Sequence, residues 1–91
     1  MADYQVTCID KPSHDSSYVQ ISHLGSRGWR WTQNAVMDAI TEKTNTFYIV
    51  IAGRRHDIGI ANGSDGEHVQ SHAEGEWDDE LLRLPGCSGY L

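Results

Sequence analysis

Residues 47–51, Phe-Tyr-Ile-Val-Ile, form an unbroken apolar run between Asn45 and Gly53. Five residues are too few for a helix, and aromatic and β-branched side chains favour a pleated backbone. A run with no polar alternation is expected to be buried on both faces, which makes it a central strand. Such a strand needs strands beside it and a layer over it, so an all-helical fold is excluded.

The covering layer is legible just upstream. Thr32 is placed to cap a helix, its hydroxyl accepting an amide of the first turn. Trp31 and Val36 occupy the two positions of a hydrophobic staple. Val36, Ala39, Ile40 and Lys43 follow helical spacing and form one apolar stripe, with Gln33, Asp38 and Glu42 elsewhere. The spacing predicts a helix over 32–44, closed by Asn45 in the left-handed conformation.

The remaining segments read as strands and turns. Residues 3–9 alternate, with Tyr4, Val6 and Cys8 on one face. Residues 18–24 form a second strand joined to the first as a hairpin, and the two glycines of 25–28 form a break. After the helix come the strand at 46–52, a turn at 53–56, and a strand at 56–61 with Ile58 and Ile60 inward. The turn-rich 62–66 follows, and then a weaker strand at 67–73. Residues 77–85 read as one or two helical turns capped by Asp78 or Asp79 and ended by Pro85. The order β-β-α-β-β-β describes a single α+β domain, an antiparallel sheet with one amphipathic helix on one face and a short C-terminal helical turn.

With 91 residues, one domain is expected. No apolar run approaches the roughly eighteen residues of a membrane span. The first ten residues lack the pattern of a secretory signal, so a cytoplasmic location is expected. The net charge of −6 is unevenly placed. Acids and bases balance over residues 1–64, whereas 65–91 carry seven acids against Arg83 alone. Such an end repels nucleic acid and anionic membranes and attracts a basic partner.

From residue 29 onward the chain resembles a small bacterial or phage domain family of unknown function. The features shared are Trp31 before a short helix, the FYIV strand at 47–50, and the turn of Gly53, Arg54 and Arg55. The close is Trp77, Asp78, Asp79, Leu81, Leu82, Leu84, Pro85 and Cys87, a W-D-D-x-L-L-x-L-P-x-C pattern. The resemblance implies a small cytoplasmic domain and carries no activity with it.

Chemistry is sparsely signalled. His68 and His72 lie in a predicted strand, where four residues span about 13 Å, too far to share one ion. His23 and His56 fall on apolar strand faces, where a histidine is usually hydrogen-bonded and partly buried. Cys8 and Cys87 would need two further ligands to hold zinc. A disulfide needs them to meet; in the expected cytoplasmic setting both are read as reduced, with Cys8 a small core residue. No metal or cofactor is expected. No G-x-S-x-G occurs, and His14, Asp15 and Ser16 are adjacent in one loop, where a working triad is rare. Gly25, Ser26, Arg27 and Gly28 precede a helix but lack the lysine and spacing of a phosphate loop. No enzymatic activity is expected.

Three binding readings remain. In the first, the chain is a non-catalytic module for a protein partner, tested at residues 74–80, where Trp77 would be the anchor if exposed. Burial of Trp77 is the expected outcome, and would make the motif structural. In the second, Trp29, Arg30, Arg54 and Arg55 form a patch for single-stranded nucleic acid or an anion, which the net charge disfavours. In the third, the acids mimic nucleic acid and inhibit its binders. A monomer is expected, or a homodimer paired through 3–9 or 67–73 as an edge strand.

Overall fold

The computed structural model describes residues 2–13, 17–64 and 66–87. Among these residues it is an α+β fold of eight strands, one helix and two 3-10 turns. The first strand is not one element. The Val6 amide donates to the Tyr48 carbonyl (2.7 Å) and the Thr7 amide to the Gly25 carbonyl (2.8 Å). Successive amides of an extended chain point opposite ways, so at this step the backbone leaves one sheet and enters another. β1 (Ala2–Gln5) runs parallel to β5 (Asn45–Ile51), whereas β2 (Cys8–Asp10) pairs antiparallel with β3 (His23–Ser26).

The expected strand at 18–24 is likewise divided. Tyr18–Gln20 is a 3-10 turn, and the strand begins only at His23. Gly25 and Ser26 continue β3 rather than breaking it, and the lack of a side chain at Gly25 lets β4 approach: an added Cβ would meet the Trp29 carbonyl oxygen at 2.7 Å. The chain reverses at 27–28, where Gly28 has φ +89°. It returns as β4 (Trp29–Thr32), a strand the alternating Trp-Arg-Trp-Thr hid by lying against the helix start.

α1 (Gln33–Glu42) starts where expected, with the Thr32 hydroxyl accepting the Ala35 amide at 3.1 Å. It ends on Lys43, not Asn45: Lys43 takes the left-handed conformation, and Asn45 opens β5. Val36 and Ala39 are buried, with Met37 and Ile40 packed beside them. Gln33 is also buried, against expectation. Its Nε2 donates to the carbonyls of Tyr18 (3.1 Å) and Ile21 (2.6 Å), and its Oε1 accepts the Val69 amide (2.9 Å).

The larger sheet has the order β1-β5-β6-β7-β8. β6 (Arg54–Gly63), β7 (Gly66–Ala73) and β8 (Glu76–Asp78) continue the antiparallel meander. β5 is interior but β6 is central, and β5 is buried on one face only. Phe47 and Ile49 are in the core, while Val50 is 41% exposed. The turn before β6 is the residue pair Ala52 and Gly53, both at positive φ as a tight hairpin requires. Arg54 and Arg55 therefore begin the strand. β7 lies between two neighbours, so among the described residues the edges of this sheet are β1 and β8. Residues 77–85 divide between β8 and the 3-10 turn Glu80–Arg83.

Cys8 and Cys87 form a disulfide, with Cα atoms 4.8 Å apart, which corrects the expectation of two reduced thiols. Asp10 Oδ1 accepts the Cys87 amide (2.9 Å), and the Ile9 amide donates to the Pro85 carbonyl (2.9 Å). The C-terminal segment is thereby fastened to β2. Among the described residues, no helix is long and apolar enough to cross a membrane.

Candidate interaction surface at the β8 edge

Strand alternation assigns the larger sheet two faces. The inner face carries Phe47, Ile49, Ile58, Val69 and Ser71 under α1. The outer face carries Asp3, Thr46, Tyr48, Val50, Arg55, Asp57, Gly59, His72 and Trp77, as the cross-strand register requires. Trp77 is 50% exposed, which overturns its expected burial. Its ring meets the His72 ring edge-on at 5.1 Å. Both rings reach over Gly59, where an added Cβ would lie 3.2 Å from each. Trp77 and Val50 are the two exposed large apolar side chains among the described residues, and both are on this face.

Directly behind Trp77, on the inner side of β8, the polar groups converge. Asp78 Oδ1 takes a short hydrogen bond from Ser71 Oγ and accepts the Glu80 amide (3.1 Å). Its Oδ2 accepts from His56 Nδ1 at 2.8 Å. Burial alone would raise the Asp78 carboxyl. The hydrogen bonds from Ser71, His56 and Glu80 outweigh it and hold the group below its ordinary value. Tyr18 closes the joint, its hydroxyl donating to the Asp78 carbonyl (2.8 Å) and to Asp79 Oδ1 (3.0 Å). Burial first, then that bond and the nearby carboxylates, push the Tyr18 phenol up.

Ser71, His56 and Asp78 are the residue types of a hydrolase triad, but their order differs. The carboxylate stands between the other two, and the Ser71 hydroxyl, at 0% exposure, also accepts the Leu81 amide (3.1 Å). A nucleophile needs the imidazole beside its own oxygen. The arrangement here is a satisfied polar joint that fixes the β8 edge. Among the described residues, no three His, Cys, Asp or Glu side chains come together to hold a metal.

The residues singled out as a basic patch do not gather. Arg30 donates to Asp10 Oδ2 (2.7 Å) on the smaller sheet. Arg54 pairs with Glu74 (2.7 Å) at the β6 end of the larger sheet. Arg55 bonds Asp3 and Asp57, both at 2.8 Å, and stacks over the Tyr48 ring at 4.2 Å. Arg55 in turn holds the Asp3 carboxyl low, with help from Thr46. Trp29 and Trp31 lie on one face of β4, and both are partly buried. They pack with Tyr4 and Phe47, at centroid distances of 5.3–6.1 Å. Asp3 and Tyr4 are consecutive in β1 and point to opposite faces, so Arg55 and Trp29 are on opposite sides of that edge. The anticipated patch is thus three arginines, each paired with a carboxylate, and a partly buried aromatic cluster around Phe47.

His56 was legible as a hydrogen-bonded strand histidine. Gly59 carried no signal, because what it leaves open depends on β7 and β8. Neither a curated protein nor a solved structure matches the chain. The family model that does match covers residues 5–85, from the end of β1 to Pro85. The chain belongs to that family, DUF3892, described as proteins of unknown function.

Proposed function

We propose that the chain is a non-catalytic protein-interaction module that docks its partner on the outer face of the larger sheet, with Trp77 as the anchor. The observation that carries this reading is the half-exposed indole laid over Gly59 beside His72. A tryptophan held in place by a neighbouring ring loses little freedom on binding, and such residues dominate interface energetics. Val50 extends the apolar area, and Tyr48 adds an aromatic surface already stacked by Arg55. The nucleic-acid reading has less support, because Arg30, Arg54 and Arg55 each spend their charge on a carboxylate. The mimic reading has less support too, because Glu74, Glu76, Asp78 and Glu80 crowd one cleft instead of spreading along a face.

The test is affinity capture with the wild-type chain and Trp77→Ala in parallel, followed by calorimetry with the purified captured protein. A partner whose affinity drops by about thirtyfold in the variant is expected, a loss of about 2 kcal/mol being typical of an anchor. Retention of no protein at low or high salt, or equal affinity for both chains, overturns the reading.

A further inference from the structure

We propose that residues 82–87 are a redox-released strap over the edge of the smaller sheet, with the Cys8–Cys87 disulfide as its latch. The device is separate from the docking face and does not rest on it.

β2 is an edge strand of the smaller sheet. Its Ile9 amide donates to the Pro85 carbonyl (2.9 Å) instead of to a strand. Beside that bond, Lys11 Nζ donates to the Leu82 carbonyl (3.1 Å) and the Cys87 amide to Asp10 Oδ1 (2.9 Å). The rest of the segment is loosely seated. Leu82 and Leu84 are only partly buried, and Pro85 and Gly86 are exposed. A groove of about 880 Å³ runs between 82–86 and residues 9–13. A close-packed interior leaves no such space, so the segment bridges the groove rather than filling it.

The residues just before it are held differently. Leu81 is fully buried and its amide donates to Ser71 Oγ (3.1 Å), while the Tyr18 hydroxyl bonds Asp78 and Asp79. The chain is thus rooted at 78–81 and latched at 87. Ordering the stretch between costs more conformational entropy than three partly buried hydrogen bonds and two half-buried leucines return. The disulfide tips that balance, because it removes most of the freedom the open segment would gain.

The step is thiol–disulfide exchange with a dithiol. A thiolate of the dithiol attacks one sulfur of the pair, and the S–S bond breaks. The other cysteine leaves as a thiolate and takes up a proton. The second thiol of the reductant then displaces the mixed disulfide, freeing the remaining cysteine and closing its own disulfide. Two electrons and two protons pass to Cys8 and Cys87. Both cysteines are buried, so attack requires the 84–86 stretch to lift. Release bares the Ile9 amide and the edge of β2, and a disulfide oxidant reverses the exchange and covers them again.

The test is NMR of the isotope-labelled full chain as purified, then in dithiothreitol, then after exchange into oxidised glutathione. On reduction the amides of 84–87 should move to unstructured positions. The Ile9 amide should exchange with water at least about a hundredfold faster, as for a hydrogen-bonded amide that is opened. Resonances of α1 and β5–β7 should stay where they were. Cys87→Ser should show the released strap with no reductant added, and oxidised glutathione should restore the first spectrum of the wild-type chain. An unmoved 84–87 stretch after complete reduction overturns the inference, because the segment then holds itself. Loss of dispersion across the whole spectrum overturns it too, because the disulfide then holds the fold and not the strap. Resistance of the folded chain to dithiothreitol, or failure of oxidised glutathione to restore the spectrum, removes the switch.

Discussion

Replacing Gln33 by leucine tests how the two sheets and the helix are joined. Gln33 sits in the first turn of α1, and its amide serves three backbone groups on two separate segments. The Tyr18 carbonyl keeps a second partner, the Ile21 amide at 3.1 Å. The Ile21 carbonyl and the Val69 amide have no such replacement among the described residues. Val69 faces β6 through its pairing with Ile60, but β8 reaches only as far back as Ser71. The Gln33 carbonyl thus takes the place of the missing strand. Leaving two buried backbone groups unpaired costs about 2–6 kcal/mol, at 1–3 kcal/mol each, with about 4 kcal/mol the central value. A domain of this size has about 5–13 kcal/mol in all. Urea denaturation should show a midpoint lowered in proportion, with the slope unchanged. For a loss of about 4 kcal/mol the melting temperature should fall by about 16–32 °C. Gln33→Glu should be damaged at neutral pH, its carboxylate facing two carbonyl oxygens. It should recover in acid, because the protonated acid can donate. Burial raises the folded-state pKa of such a glutamate, so its stabilising contribution is lost as pH rises through that value. A loss under 1 kcal/mol for Gln33→Leu would refute the reasoning.

Three further outcomes are expected. The purified chain should contain no free thiol, and Cys8→Ser with Cys87→Ser should lower stability by at most about 4.5 kcal/mol, given a closed loop spanning 79 residues, measured by denaturation with and without reductant. Gly25→Ala should cost about 1–3 kcal/mol, because the new methyl meets backbone at 2.7 Å, and a stability within error of wild type would contradict that packing. Asp78 is held below its ordinary value of 3.8 in the folded chain. Its contribution is therefore complete above that value and is lost as pH falls through the lower folded one. The acid limb of a pH-stability profile should flatten in Asp78→Asn.

The elements set by local chemistry were legible. Thr32 and the Val36, Ala39 and Ile40 stripe define α1, and the turns expected at 53–56 and 62–66 separate the strands of the meander, the first of them falling at Ala52 and Gly53. What was hidden depends on partners distant in the chain. Residues 3–9 alternate throughout, and nothing local marks Val6 and Thr7 as the step between sheets. β4 and β8 have four and three residues, and each adjoins a stronger helical signal. The burial of Gln33 follows from two carbonyls and an amide on other segments, which no periodicity encodes. Cys8 and Cys87 gave no spacing signal, because their meeting is a product of the whole fold. The spacing of Trp29, Arg30, Arg54 and Arg55 does not report which face each side chain takes, and in the fold each of the three arginines meets a carboxylate.

The account turns on which indole is open to solvent. The three indole N–H resonances, recorded with a soluble paramagnetic agent, answer this directly. The account predicts the strongest broadening at Trp77, whose side chain is half exposed, and weaker broadening at the partly buried Trp29 and Trp31. Protection of Trp77, or equal broadening of Trp29, would contradict it.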